Sequence, residues 1–303
     1  MESDQISIKE KTMKKTIIKS LISFSLLVFL FTKVVSFSEV LSTFTQINLG
    51  YFLLALVFIF GNNFVSAARW KYLIDHAKAK YWYLFRLYFI GNYFNNFLPS
   101  SIGGDVYKIL KLKNVVDDGA LATAATFMER FTGLLALAVM ASIALTFTSY
   151  FPSYYGILML ILFVGGFLCG LFVLNKFHKL HPKLEKFYIV FSSFKDKKMI
   201  VFKAFLLSFL VQMFSVLTQF MVIKALGINL SLIYAFFAFP VAGFISFFPI
   251  SFNGVGVQEA MYIKLLGFVG VSASAAVTAS ITYFIIRVIS SLVGAVFYYF
   301  YND

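Results

Sequence analysis

From Ile157 to Leu174 the chain carries no charged and no strongly polar side chain, and Leu49 to Phe60 and Ser231 to Phe248 are nearly as apolar. A helix needs roughly 20 such residues to cross about 30 Å of hydrocarbon, so runs of this kind dictate a chain that folds inside lipid. Of the 303 residues, 60% are hydrophobic and only 13% charged. A soluble chain of this size would need a larger polar surface, so the surplus apolar residues must face lipid. The expected fold class is an all-α integral membrane protein: a polytopic helical bundle forming a single transmembrane domain over residues 1–303.

The formal net charge of +13 raises the question of nucleic acid. The basic residues lie in short connections between apolar runs, however, which is the pattern of cytoplasmic anchoring beside anionic lipid. No nucleic-acid partner is expected, and the cell (cytoplasmic) membrane is the expected location. Cys169 lies mid-span, and His76, His178 and His181 lie in polar loops without ligand spacing, so neither a metal nor a cofactor is indicated. Gly254-Val255-Gly256 follows no strand and is not a dinucleotide fingerprint.

Charge also orders the spans. Residues 1–15 form a basic cytoplasmic N-terminus before a first, uncleaved span at about Thr16 to Val35. A second span, Leu49 to Ala67, returns to a basic loop with Arg69, Lys71, Lys78, Lys80 and Arg86. Spans at Gly119 to Thr148, Gly156 to Asn175, Ile200 to Lys224 and about Val271 to Tyr299 complete a set of about six. Residues 176–199 form a basic cytoplasmic loop whose lysines Lys176, Lys179, Lys183 and Lys186 recur at helical spacing, as in an interfacial helix starting near Pro182. Trp70, Trp82, Tyr150, Tyr154 and Tyr155 fit interfacial belts, and Gly166 with Gly170 suits close helix contact.

Two further apolar elements, 84–112 and 231–267, are interrupted. The first is broken by Asn92, Asn95, Asn96, Pro99, Gly103 and Gly104, the second by Pro240, Pro249, Asn253, Gly254 and Gly256. The apolar stretch of the first, Leu84 to Asp105, has basic residues on both flanks, with Lys108, Lys111 and Lys113 just beyond it, so it should enter and leave on one side. Irregular backbone survives at membrane depth only inside protein or beside a water-filled cavity. Two re-entrant hairpins arranged as an inverted repeat are therefore expected, with eight plain spans as the alternative. In each hairpin a second arm, capped near Ser101 or Asn253, would point its positive dipole end into the membrane as an anion site.

Each interrupted element is followed by a span carrying an arginine, Arg130 or Arg287. Charges inside a membrane cost at least ~2.5 kcal/mol each on insertion scales and face a cavity or a partner. Guanidinium forks suit phosphate. The candidate head-group site is Ser100, Ser101, Gly103, Gly104, Arg130, Ser251, Asn253, Gly254, Gly256 and Arg287. Asp105, Glu129 and Glu259 are candidate charge partners or proton carriers. The plainer alternatives are half-helix caps at Asp105 and Glu259, and a structural ion pair of Glu129 or Glu259 with Arg287.

The segments Asn96-Phe97-Leu98-Pro99-Ser100-Ser101-Ile102-Gly103-Gly104-Asp105, Glu129-Arg130 and Pro249 through Glu259 together resemble the lysylphosphatidylglycerol synthase transmembrane-region family, flippase-like membrane proteins. The resemblance covers nearly the whole chain and implies movement of a lipid head group between leaflets. Bifunctional members carry a soluble aminoacyl transferase domain after the membrane part, whereas this chain ends at Asp303, so aminoacyl transfer is not implied. Gln258 stands where relatives often carry a basic residue, which leaves the head-group charge open. The leading expectation is a translocator rather than an enzyme, with a membrane phospholipid or polyprenyl-phosphate lipid as its partner. An intramembrane lipid-modifying transferase using Asp105, Glu129 or Glu259, and a membrane partner of a separately encoded lipid or glycan enzyme, are the competing classes.

Overall fold

The computed structural model describes residues 36–97, 103–180, 182–247 and 254–301, with a few isolated positions between 21 and 32. Among them the chain is helical, without a strand. The elements are α1 (Phe37–Thr45), α2 (Leu49–Ile74), α3 (Tyr81–Phe97), α4 (Gly103–Val116), α5 (Gly119–Phe147), α6 (Tyr154–Phe177), α7 (Pro182–Ser192), α8 (Lys198–Ala225), α9 (Leu232–Phe247), α10 (Val257–Gly267) and α11 (Ala273–Tyr301). Five of these are long and apolar enough to cross a membrane: α2, α5, α6 with the 3-10 turn that extends it to Leu180, α8 and α11. The chain is thus a multi-pass helical membrane protein. The first expected span, and Pro99 and Pro249 of the two interruptions, lie outside the described residues.

Helix starts follow from local chemistry. Asn48 accepts from the Tyr51 N–H at 3.3 Å to open α2, and Asp118 accepts from the Leu121 N–H at 2.9 Å to open α5, each satisfying a donor that has no intrahelical partner. Asp75 closes α2 in the left-handed region at φ 45°.

α2 and α8 pack side by side and antiparallel. The Asn48 N–H meets the Ala225 carbonyl at 2.8 Å at one end, and Lys197 approaches Asp75 at 3.7 Å at the other. The interrupted elements are two antiparallel helix pairs, α3 with α4 and α9 with α10. In the first, the Tyr83 hydroxyl reaches the Lys111 carbonyl and Gly91 lies against Gly104; in the second, the Tyr234 hydroxyl reaches the Leu265 carbonyl at 2.6 Å. Each pair packs across the other half of the chain, α3 against α11 and α9 against α5. Exchanging α2 with α8, α3 with α9, α4 with α10 and α5 with α11 therefore leaves the pattern of packing unchanged. Small residues permit this closeness: α5 buries Ala122, Ala125, Ala136 and Ala141, and any Cβ on Gly294 of α11 would strike the Phe89 backbone.

Several expectations are corrected here. Pro240 does not break its element but sits inside a continuous α9. Asn92, Asn95 and Asn96 likewise sit within α3 rather than interrupting it. Arg69 and Lys71 belong to α2 and Arg86 to α3, so that loop is shorter than its charges suggested. Trp70 is completely buried and belongs to the core beside Leu73, Leu84 and Leu112, not to an interfacial belt. Among the described residues, Gly166 and Gly170 meet nothing within 4 Å of where a Cβ would stand. α7 does begin at Pro182, and it lays Phe187 and Phe191 against Phe127 and Phe131 of α5.

Candidate functional site

The helices that follow the two interrupted pairs each bring one arginine to the interior. Arg130 of α5 lies near the end of α9, its guanidinium 5.9 Å from the Phe247 ring. Arg287 of α11 lies near the end of α3, where its Nη2 donates to Asn96 Oδ1 at 3.1 Å while Asn96 Nδ2 donates to the Arg287 carbonyl at 3.4 Å. Each arginine thus faces the interrupted pair of the opposite half.

Two cavities open at these arginines. The first, of about 280 Å³, is walled by Asn62, Asn63, Asn92, Asn95 and Asn96, with Ser215, Thr218 and Ser290. The second, of about 230 Å³, lies against α9 and α10 and is lined by Gln212, Gln219, Pro240, Ser246, Phe247, Gln258 and Tyr262. Arg130, Ser215, Tyr283 and Arg287 line both, so the two spaces share a wall of two cations. The Ser246 Oγ is buried there without a hydrogen-bond partner among the described residues, and such groups are uncommon enough to mark a site for a ligand or water.

Behind the cavities is a buried ionic network. Glu129, 2% exposed, accepts from Arg69 Nη2 at 3.0 Å through Oε1 and from Lys108 Nζ at 3.1 Å through Oε2. Lys108 also reaches Asp105 at 3.2 Å, and the other Asp105 oxygen takes Arg130 Nε. Arg69 Nη1 donates to Ser208 of α8 at 3.0 Å, and the Lys108 ammonium lies 5.0 Å from the Trp70 ring and 4.6 Å from the Tyr88 ring. The network ties α2, α4, α5 and α8 together, and it fixes Arg130 by one edge at the mouth of the cavities. Charges this deep persist only because each has opposite charge and hydrogen bonds against it.

The corresponding place in the second half holds no ion pair among the described residues. The Tyr262 hydroxyl of α10 donates to Gln219 Oε1 of α8, and Glu259 turns back to accept from the Gly256 N–H at 2.6 Å and from Ser280 at 2.9 Å. Glu259 therefore caps α10, and the ion pair anticipated between Glu129 or Glu259 and Arg287 is not formed; among the described residues Arg287 has no carboxylate against it.

Of the residues singled out in the sequence, Arg130, Arg287, Asp105 and Glu129 converge. Ser100, Ser101, Ser251 and Asn253 lie outside the described residues. Gly104 is pressed against the Gly91 backbone and its N–H is taken by Asn95 Oδ1 at 2.8 Å, so close packing accounts for it. Gly254 and Gly256 hold φ of 79° and 86°, conformations that other residues adopt only with strain. Arg69, Lys108 and the asparagine wall were missed. Arg69 and Lys108 were counted as flanking charges, and the asparagines as breaks.

Five helices long and apolar enough to cross a membrane, gathered with shorter helix pairs around two polar cavities, define a multi-pass membrane protein. The model of the family described as "Lysylphosphatidylglycerol synthase TM region" matches residues 16–294. The chain belongs to this family, and with it to membrane proteins concerned with lipid. No curated protein matches the chain.

Proposed function

We propose that the chain is a lipid translocator of the flippase-like kind, moving a phosphate-bearing head group between leaflets of the cytoplasmic membrane while the tails stay in lipid. In this reading α3/α4 and α9/α10 are re-entrant pairs entering from opposite faces, the arrangement of inverted-repeat transporters. Their lengths support it, since α3 has 17 residues and α9 has 16, short of the roughly 20 needed to cross. So do their antiparallel folding and the packing that survives exchange of the halves. Lys78, Lys80, Lys197 and Lys198 gather where α2 ends and α8 begins, which suits a cytoplasmic face there and a cytoplasmic N-terminus.

The observation that carries the proposal is the meeting of Arg130 and Arg287 on the shared wall of two polar cavities. Two guanidinium groups suit the oxygens of a phosphate, either of a phospholipid or of a polyprenyl phosphate. Asp105 and Glu129 are held in ion pairs and Glu259 in a helix cap, which leaves them as charge partners and gives no support to a transferase using them as acid or base. Reconstitution into liposomes with fluorescent phospholipids and polyprenyl phosphates tests this. A double Arg130→Ala, Arg287→Ala variant that remains folded should lose transfer; transfer at the unaltered rate would refute the site.

A further inference from the structure

The asparagine wall says what is joined to the phosphate. Asn96 spends both its groups on Arg287, but the other four side chains spend one each on the protein: Asn62 Nδ2 donates to the Val211 carbonyl at 2.8 Å, Asn92 Nδ2 donates to Asn63 Oδ1 at 2.9 Å, and Asn95 Oδ1 accepts from Gly104. The other half of each amide, Oδ1 of Asn62 and Asn92 and Nδ2 of Asn63 and Asn95, has no partner among the described residues, and all four residues line the cavity. Two acceptors and two donor groups in one small space match hydroxyls, each of which both donates and accepts.

The same wall is poorly suited to an ammonium group. No carboxylate lines either cavity among the described residues. The aromatic faces nearest the arginines are already taken by them: the Arg287 guanidinium lies 5.9 Å from both the Tyr283 and the Phe284 rings. Among the described residues an amine-bearing head group would find no counter-ion in the cavities, only two cations that repel it.

Resting on the translocator reading above, we infer that the ligand is a phosphate esterified to an uncharged polyhydroxyl group, such as glycerol, inositol or a sugar, held with its phosphate at Arg130 and Arg287 and its hydroxyls on the asparagines. The cavity discriminates against ethanolamine, choline and aminoacylated head groups. The chemistry is common to a lipid head group and to a free polyol phosphate.

The test uses the full chain in two arms. In liposomes, acyl-labelled phosphatidylglycerol and phosphatidylinositol should cross at least tenfold faster than acyl-labelled phosphatidylethanolamine or phosphatidylcholine. In detergent, soluble glycerol phosphate should raise the melting temperature where phosphoethanolamine at the same concentration does not. A larger rise with short-chain phosphatidylglycerol assigns the site to lipid, and an equal rise assigns it to the free phosphate ester; both retain the polyol class. Asn63→Asp keeps the acceptor for Asn92 and adds a carboxylate to the wall, so it should reverse the preference, raising the ethanolamine-to-glycerol ratio at least tenfold. If every lipid crosses equally, the polyol inference is overturned and translocation stands. If no lipid crosses, translocation fails, and the melting shifts still decide the ligand: equal shifts for the two soluble esters, or none, overturn the inference.

Discussion

Replacing Glu129 by Gln removes the anion on which the interior of the first half depends. Its two oxygens stand 3.0 Å from Arg69 and 3.1 Å from Lys108, and all three side chains are at most 6% exposed. At an effective dielectric of about 20, each contact at that distance is worth roughly 5 kcal/mol of attraction. Desolvation of the carboxylate and of the two cations returns much of this. Removing one member of such a group strands the others, and the net loss should be about 3–5 kcal/mol. Against a typical stability of about 5–15 kcal/mol, that is enough to lower yield as well as melting temperature. Arg69 retains Ser208 and Lys108 retains Asp105, so the lower part of the range is expected. Thermal and denaturant unfolding in detergent, followed by intrinsic fluorescence, measures the loss. The decisive comparison is the double variant Glu129→Gln, Lys108→Met, which takes away one stranded cation and leaves an apolar side chain beside Trp70. It should recover a third or more of what the single variant loses. A single-variant loss under about 1 kcal/mol, or a double variant no better than the sum of its parts, would refute the reasoning that the network is held by mutual neutralisation.

Two other substitutions probe the backbone. Gly104→Ala places a methyl group against the Gly91 carbonyl, backbone on backbone, so α3 and α4 must part; a loss of about 1–3 kcal/mol by overpacking is expected in the same unfolding assay, whereas Gly166→Ala, facing open space, should change stability by less than about 0.5 kcal/mol. Gly256→Ala forces an L side chain to φ 86° at the head of α10 and should cost about 1–2 kcal/mol, while Gln258→Ala two residues on, at an ordinary helical position, should leave stability nearly unaltered.

Apolar run length was enough to mark α2, α5, α6, α8 and α11, because the hydrocarbon slab imposes a length that local composition alone must meet. Proline and glycine marked the two interrupted elements for the same local reason. The charge network was not legible. Arg69 sits within two turns of the end of α2 and Lys108 early in α4, where a basic residue ordinarily reaches water, and the carboxylate that joins them inside, Glu129, is sixty positions from Arg69. The asparagines of α3 carried an ambiguous signal, since a polar residue in an apolar run marks either a break or a cavity wall and the difference depends on α2 and α11 lying opposite. Gly104 was read for its freedom of backbone, when its lack of a side chain against Gly91 is what the packing uses. Gly166 and Gly170 form a pattern that acquires meaning only with a second helix, and none of the described residues lies against them.

The bare side of α6 has a practical consequence. Cys169, the only thiol in the sequence, stands on that helix, exposed and one residue from Gly170, around which a side chain would have open space. A maleimide dye or nitroxide can therefore be attached to the unaltered protein at a single known point, and a second cysteine placed at will gives a distance ruler across the bundle without first stripping any other thiol from the chain.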